Sequence, residues 1–296
     1  MDLKPLQMDP LEIKPFVQVG EADVPKLLPI LQKRLPYSVF AYNSVLMYPR
    51  FRDRMSFYTL HGEITETTWI VSVVVAEDYG LDYTISACQE KLSRDEAIQI
   101  LSDCPLFKWG EPHLITPLEA WLTSIVFEVS VNKKGNVVEF HPARIFWMDV
   151  QDAENIEILG PEDEPSLRIQ SLDVDKGVAF MTSTWKFAKP GTAVNMTRNI
   201  SRNESGAVYI GGEPVCATMT MAFGMVSALH TLPEHRQKGY ANLAMKFVFK
   251  ELAKNGIIPA TGVDIKNAGS IAFHQKLGCK MTQGLVHYVI CHQSEF

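Results

Sequence analysis

The sequence contains no run of apolar residues long enough to span a bilayer, because its longest runs, such as residues 71–76, have the length of a buried strand. Residues 1–15 contain acids but no arginine and no apolar core. They therefore have the character of neither a secretory signal nor a mitochondrial transit peptide. These absences predict a cytoplasmic protein without a membrane partner.

Cysteines are few, and positive charge is not in excess. Five cysteines occur in 296 residues without a Cys-x-x-Cys pair, which favours reduced thiols over a disulfide framework. The formal net charge of -6 argues against a nucleic-acid partner, since binding to phosphates requires a basic face. The cysteines and histidines near the C-terminus lack a zinc-binding spacing, so no metal site is predicted.

Two common phosphate-binding motifs are also absent. No Gly-Lys-Ser/Thr closes a Walker loop, and no Gly-x-Gly-x-x-Gly follows a predicted strand. ATP and NAD are therefore not favoured as ligands.

The sequence does contain a different anion-binding pattern, at residues 229–241. An apolar strand ends there at Pro233, and a helix begins near Gly239. The backbone N–H groups of a first helical turn lack intrahelical partners, and the helix dipole favours negative charge beside them. Gly239 has no side chain to block a ligand, and Ala241 has little more. We predict that this turn binds a diphosphate.

Hydrophobic periodicity gives a coarse map of both halves of the chain. From about Leu172 the order is helix, helix, hairpin, strand, helix, strand, helix, strand, and Gly256 follows the helix after the anion turn as a left-handed cap. The predicted helices are residues 24–35, 37–48, 94–101, 180–187, a segment through 196, 240–252 and 270–277, and the predicted strands are residues 56–60, 69–75, 83–87, 206–210, 215–221, 226–232, 258–265 and 285–291.

The N-terminal half repeats part of this order but lacks the anion turn, since no Arg-x-x-Gly-x-Ala occurs between Cys88 and Arg94. We predict a degenerate copy that shapes a cleft without binding a nucleotide. Residues 149–165 are acidic and rich in helix breakers. They divide the chain into predicted domains at residues 1–165 and 166–296, and the alternative is a long surface loop within one unit.

Two signatures in order, Arg236-x-x-Gly-x-Ala and then residues 267–279, resemble those of the GNAT superfamily of acyl-CoA-dependent N-acyltransferases. Residues 213–236 and 262–267 look closer to the glycine N-acyltransferase branch than to ribosomal or histone acetyltransferases. The resemblance implies an α+β fold with a mixed, mainly antiparallel sheet flanked by helices, in two tandem GNAT-like halves of which the N-terminal one is degenerate. Family analogy adds a mitochondrial location as an alternative to the cytoplasm.

The resemblance also implies a cofactor, acetyl-CoA or another acyl-CoA as co-substrate, with no metal. Leu229, His230 and Thr231 would offer backbone groups to pantetheine, and the strand that they form with Leu232 would stabilise the oxyanion through its N–H groups. Arg236 would orient the turn or meet phosphate charge, and Asn267 would contact pantetheine or the far end of the cofactor. The residues implied to hold the pyrophosphate are Gln237, Lys238, Gly239, Tyr240, Ala241 and Asn242.

The chain departs from the family pattern at its catalytic positions. The tyrosine that protonates the leaving thiolate is replaced by His274, for which the alternative is a helix residue without a catalytic role. The general-base glutamate is replaced by Met225, and another family base position falls on Gly262. Asp264, two residues later on the same strand face, is the nearest carboxylate. His230 and His235 are the other candidate bases.

The resulting prediction is an N-acyltransferase that moves an acyl group from acyl-CoA to the amine of a small acceptor, such as glycine or another amino acid. One alternative is a module that binds acyl-CoA without catalysis. A second is a protein N-acetyltransferase, which would require an open peptide groove in place of a small closed pocket.

Overall fold

The computed structural model describes residues 15–78, 80–133, 136–160 and 164–293. The α-helices are α1 (Leu28–Lys33), α2 (Val39–Phe51), α3 (Arg94–Asp103), α4 (Ala120–Asn132), α5 (Val150–Glu154), α6 (Val174–Thr184), α7 (Thr192–Arg202), α8 (Tyr240–Lys254) and α9 (Ala268–Lys276). The strands are β1 (Phe16–Gln18), β2 (Met55–Leu60), β3 (Ile70–Ala76), β4 (Gly80–Ser86), β5 (His113–Glu119), β6 (Asn136–Trp147), β7 (Leu167–Gln170), β8 (Ser205–Ile210), β9 (Glu213–Thr220), β10 (Val226–Thr231), β11 (Ala260–Asp264), β12 (Lys280–Met281) and β13 (Val286–Gln293). Within these ranges no helix is long and apolar enough to cross a bilayer.

The predicted element order of the second half is confirmed, including the β8–β9 hairpin at Gly211 and Gly212 and the left-handed Gly256 after α8. The predicted helix at residues 180–187 is displaced. Asp173 starts α6 earlier, because its side chain accepts a hydrogen bond from the backbone N–H of Lys176. The helix then ends at Thr184, so Trp185 and Phe187 lie after the helix and not within it. The predicted helix at residues 24–35 is likewise shorter, because a 3-10 turn with Pro25 precedes α1.

The strands form two sheets whose pairs are almost all antiparallel, as the α+β prediction requires. The larger sheet has the order β1-β2-β3-β4-β5-β13-β6-β11, with β12 also on β6, and the smaller has the order β10-β9-β8-β7. The β4–β5 pair is parallel.

Apart from α5 and the two-residue β12, both halves run through the same order of α-helices and strands: a strand, two helices, three strands, a helix, a strand, a helix and a closing strand. The two closing strands are exchanged between the halves. Strand β6 of the first half pairs with β11 of the second, and β13 of the second half pairs with β5 of the first. The tandem architecture is thus confirmed, and the two halves share one sheet. The boundary at residue 165 stays a prediction.

Strands β10 and β11 separate shortly after they meet. They touch through a single parallel bridge between Met225 and Ala260, and β10 then continues in the smaller sheet. Ala228 has a φ of 58°, and the register of β10 with β9 shifts between Ser227 and His230. A positive φ at a residue with a Cβ is uncommon, and together with the shifted register it marks a bulge that bends β10. A split therefore opens between β10 and β11.

Asn43, fully buried in α2, holds the point from which the split begins. Its Nδ2 donates to the carbonyl oxygens of Ile258 at 2.8 Å and Gly224 at 3.3 Å, and its Oδ1 accepts from the backbone N–H of Ile258 at 3.2 Å. These backbone groups flank the Met225–Ala260 bridge. A helix of the first half therefore fixes the strands of the second.

Replacing Asn43 with alanine would leave these backbone groups buried without partners. Each unsatisfied group costs roughly 1–3 kcal/mol, so we expect Asn43→Ala to lower the free energy of unfolding by about 3 kcal/mol. Urea denaturation measures the change. Alanine at the exposed Asn132 is the control and should change stability by less than about 0.5 kcal/mol. Similar values for both variants would show that Asn43 does not hold the strands.

Candidate active site

The backbone between β10 and α8 forms an open cradle. A 3-10 helix (Pro233–His235) follows the strand, and Gln237 and Gly239 then have φ values of 61° and 81°. Gly239 is the N-cap of α8, no side chain caps the helix, and no acid lies in its first turn. A Cβ at Gly239 would meet no atom within 4 Å. The N-terminus of α8 therefore faces open space, as predicted.

We call this space the cofactor cavity, with a volume of about 790 Å³. The cations Arg236, Lys238 and Lys276 line it, and no acid does among the residues that the structure describes. The chain as a whole is negative, so this local positive charge is suited to a phosphorylated ligand. The complete lining is Leu159, Leu229, His230, Thr231, His235, Arg236, Gln237, Lys238, Gly239, Tyr240, Ala241, Asn242, Leu243, Phe273 and Lys276.

The edge of β10 that faces the split offers backbone groups to this cavity. The N–H of Leu232 donates to Val215 at 3.0 Å and so points towards β9, away from the split. Successive backbone N–H groups of an antiparallel strand point to opposite edges of that strand, so the N–H of Thr231 points towards the split. The Arg236 Nε donates to the Thr231 carbonyl at 3.1 Å, which braces the strand against the turn. The predicted oxyanion role therefore does not extend to Leu232, whose N–H is already paired.

His235 supplies an independent indication of a ligand site. Its Nδ1 is buried, has no hydrogen-bond partner among the described residues, and belongs to a residue that lines the cofactor cavity. Buried polar atoms in native proteins almost always have a partner. The open N-terminus of α8, the cations and this unsatisfied nitrogen together fit the diphosphate of a nucleotide cofactor such as coenzyme A.

A second cavity, which we call the acceptor cavity, lies between the two halves and has a volume of about 450 Å³. Its floor is one face of the larger sheet, where alternate residues of neighbouring strands point the same way. Asp82, Thr116, Tyr288, Gly262 and Asp264 lie on this floor, on strands β4, β5, β13 and β11. Helix α7, the segment after α6 and the turn between β9 and β10 form its roof.

Tyr288 reaches the foot of the split from the floor of the acceptor cavity. Its hydroxyl donates to the Met225 Sδ at 3.3 Å. A Cβ at Gly262 would lie 1.5 Å from the Tyr288 oxygen, so only glycine at that position admits the hydroxyl. Burial raises the pKa of Tyr288, and the charge of Asp82 raises it further, so the phenol stays protonated at neutral pH.

The predicted catalytic residues are spread over three places. Asp264 lines the acceptor cavity, where its Oδ1 accepts from the backbone N–H of Lys266 at 2.7 Å. His230 lines the cofactor cavity, its ring 6.2 Å from that of Phe180. Burial, followed by the nearby charge of Arg236, lowers the pKa of His230, which keeps it neutral.

The third predicted catalytic residue, His274, lines neither cavity. Only 5% of it is exposed, its ring packs beside Phe146 and Phe273, and its Nδ1 donates to the Ser270 carbonyl at 2.7 Å. Burial lowers its pKa, so it is a poor proton donor at neutral pH. The geometry favours the alternative reading of His274 as a packing residue.

Helix α9 contributes to the cofactor cavity through residues that the sequence analysis missed. The predicted contact, Asn267, lies outside both cavities and caps the helix, with its Oδ1 accepting from the Ser270 N–H at 3.0 Å. Phe273 and Lys276 line the cavity in its place. Their i, i+3 spacing can be read from the sequence and puts both side chains on one face of the helix. That this face lies against the turn follows only from the packing of α9.

The matching helix of the first half cannot offer the same cradle. Ser93 caps α3 by accepting from the Glu96 N–H at 3.3 Å, and Glu96 accepts from the Ser93 N–H at 2.9 Å. This capping box fills the helix N-terminus, and the acids Asp95 and Glu96 in its first turn repel anions. Within the described ranges, no group of three or more His, Cys, Asp or Glu residues could hold a metal ion.

Comparisons with known proteins agree with this fold. Residues 212–286 match the family profile described as FR47-like protein. No curated protein matches the chain. A Drosophila protein superposes with a TM-score of 0.81 at 17% identity, over 95% of this chain and 100% of that one.

Two further solved structures carry a family description. A GCN5-related N-acetyltransferase from Sphaerobacter thermophilus has a TM-score of 0.54 at 10% identity, covering 94% of this chain and 95% of that one. A tandem GNAT protein from the clavulanic acid biosynthesis pathway has a TM-score of 0.54 at 11% identity, covering 95% and 98%. The chain is therefore similar to GNAT acetyltransferases in fold, over both halves.

A substitution at His274 tests its structural role. Because burial lowers its folded-state pKa, the unfolded chain binds a proton more readily below about pH 6.5, and stability is lost as the pH falls. We expect the free energy of unfolding of His274→Gln to fall less steeply than that of the wild type between about pH 6.5 and pH 5. Urea denaturation at each pH measures this slope. His61→Asn, at an exposed histidine, is the control, and an unchanged slope for His274→Gln would contradict the assignment.

Proposed function

We propose that the protein is an acyl-CoA-dependent N-acyltransferase that acylates the amine of a small molecule. The observation that carries this proposal is that one split strand pair borders both cavities. Leu229 and Thr231 border the cofactor cavity, and Met225, Ser227 and Gly262 border the acceptor cavity. A ligand in each cavity would meet the other at the split. We also propose that residues 166–296 carry the acyl-CoA site and that residues 1–165 complete the acceptor cavity.

Coenzyme A would be held by groups along the length of the cofactor cavity. The backbone N–H groups of residues 237–242, with Arg236, Lys238 and Lys276, would bind its phosphates. The exposed edge of β10 at Leu229 and Thr231 would pair with its pantetheine amides, as an added strand does. When bound, the cofactor supplies an activated acyl thioester.

Three side chains near the split accept or hold protons. An amine is protonated at neutral pH and must lose that proton to become nucleophilic. Asp264 offers a carboxylate on the floor of the acceptor cavity, and neutral His230 lies on the cofactor side. Tyr288 holds a proton at its phenol oxygen and can donate a hydrogen bond at the foot of the split. In this scheme Tyr288 takes the place that the resemblance gave to His274.

Two alternative functions are distinguished by features of the acceptor cavity. Met225, in place of the family glutamate, motivates a module that binds acyl-CoA without turnover, and the presence of Asp264 and Tyr288 in the acceptor cavity favours catalysis. The roof of α7 and the segment after α6 favours a small acceptor over a peptide. Glycine or another amino acid, the acceptor that the resemblance implies, stays a prediction.

The cofactor proposal is tested by two glycines at opposite ends of the same helix. Gly239 and Gly256 both have positive φ, and a Cβ at either would meet no atom within 4 Å. Alanine therefore strains both positions by about 1 kcal/mol. Only Gly239 lines the cofactor cavity. We expect Gly239→Ala to weaken CoA binding at least about tenfold and Gly256→Ala to leave it unchanged, as measured by calorimetry. No CoA binding by the wild type would overturn the proposal.

The catalytic proposal is tested by the release of free thiol from several acyl-CoAs with amino acids, other amines and peptides as acceptors. We expect Tyr288→Phe to lower kcat by about 100-fold with CoA affinity unchanged, within the range found for proton-transfer groups. Tyr209→Phe, which removes a hydroxyl that accepts from the Asp173 N–H outside both cavities, is the control. CoA binding without thiol release for any acceptor would identify the non-catalytic module instead.

A further inference from the structure

The end of the acceptor-cavity floor formed by β4 and β5, which we call the wall of the first half, contains two polar atoms without partners among the described residues. Asp82 on β4 is 7% exposed and Thr116 on β5 is fully buried. Neither the Asp82 Oδ1 nor the Thr116 Oγ1 has a hydrogen-bond partner among the described residues, and both residues line the cavity. An unsatisfied buried carboxyl oxygen is costly, so its place on a cavity wall points to a ligand.

The cations of the same cavity are engaged elsewhere. Arg54 and Arg198 both bind the carboxylate of Glu77, each at 2.6 Å. The Lys186 ammonium lies 4.6 Å from the centroid of the Phe187 ring, on the roof. His141 Nε2 lies 3.0 Å from a Glu139 carboxylate oxygen.

The charges nearest to Asp82 do not compensate for its burial. Asp78 carries the same sign and accepts from the Thr192 hydroxyl at 3.1 Å, and the hydroxyl of Tyr288 donates to Met225. Burial, and then the charge of Asp78, raise the pKa of the Asp82 carboxyl. A cationic ligand would supply the counter-charge that the surrounding side chains do not.

The position of Asp82 shows which part of an acceptor it can touch. The strand order β4-β5-β13-β6-β11 puts four spacings between Asp82 and Gly262 at the split. Measured along the sheet, this path is roughly 19 Å at about 4.8 Å per spacing. Across the cavity, the charge of Asp82 still acts on the Tyr288 phenol, which reaches the foot of the split. Because four strand spacings separate them, Asp82 and Gly262 meet different parts of an acceptor that lies on this floor.

We propose that Asp82 and Thr116 bind an ammonium group at the distal end of the acceptor, so that the substrate is a diamine acylated at its other nitrogen. The floor between Asp82 and the split carries Leu114, Ala143 and Ile290, which suit a chain of methylene groups. This assignment of the substrate class rests on the proposed acyltransferase function.

Binding of the ammonium is coupled to a proton. Burial favours the protonated form of Asp82 when no cation is near, and an arriving ammonium favours its carboxylate. The O–H bond of Asp82 breaks, its proton leaves to solvent, and the carboxylate accepts a hydrogen bond from the ammonium. Thr116 can accept a second hydrogen bond from the same group. Binding of a diamine should therefore release a proton that binding of the uncharged diol of the same length does not.

Calorimetry of the protein without acyl-CoA tests this proposal with alkyl diamines from diaminobutane to diaminododecane and the uncharged diol of each length. We expect diamines to bind at least about tenfold more tightly than the matching diols, since a hydrogen bond to a charged group contributes roughly 1.5–3 kcal/mol. Their apparent binding enthalpy should also vary with the ionisation enthalpy of the buffer.

Two variants assign the effect to this wall. Asp82→Asn keeps the shape of the side chain and should reduce the diamine preference to about twofold and abolish the buffer dependence. Thr116→Val should weaken the preference by a smaller factor. Asp103→Asn, at an exposed carboxylate outside the cavity, is the control and should behave as the wild type. A diamine preference that survives in Asp82→Asn, or that is absent from the wild type, overturns the proposal.

CoA binding, measured on the same samples, separates this inference from the proposed function. If CoA binds and amines are acylated without a preference for diamines, the substrate class is wrong and the acyltransferase stands. If CoA does not bind, the acyltransferase proposal fails, and a diamine preference that depends on Asp82 still supports the distal ammonium site.

Discussion

The separation of β10 from β11 is the constraint on which the rest of this molecule depends. Two strands that paired along their length would leave neither a backbone edge for a cofactor nor a passage between two cavities. They meet only at Met225 and Ala260, and Asn43 holds that point through backbone groups of Gly224 and Ile258. The bulge at Ala228 then turns β10 into the smaller sheet. A buried asparagine from one half thus determines where the other half opens.

The exchange of closing strands gives the two halves a joint role. Because β13 lies between β5 and β6, and β6 lies between β13 and β11, the floor of the acceptor cavity is continuous across both halves. Neither half could form this floor alone. The matching helix of the first half, α3, has no open N-terminus, because the capping box of Ser93 and Glu96 fills it. Its β4 and β5 instead form the wall that carries Asp82 and Thr116.

The two cavities also differ in the charge of the residues that line them. The cofactor cavity is lined by Arg236, Lys238 and Lys276 in a chain whose net charge is -6. The acceptor cavity contains Asp82 and Asp264, while its arginines are held by Glu77. An anionic cofactor and a cationic acceptor would each meet opposite charge, and the split is where the two regions join.

The sequence by itself determined the element order of the second half, the hairpin at Gly211 and Gly212, and the open turn at Gly239. Each of these follows from local chemistry: hydrophobic period, turn residues with positive φ, and the unpaired donors of a helix N-terminus. The tertiary structure alone decided the exchange of β6 and β13 and the burial of His274. It also brought Tyr288 to the split and left the Asp82 Oδ1 without a hydrogen-bond partner in the part of the chain that the structure describes. These features depend on contacts between residues far apart in the chain, which local periodicity does not encode, because a strand pattern specifies two faces but not its neighbours.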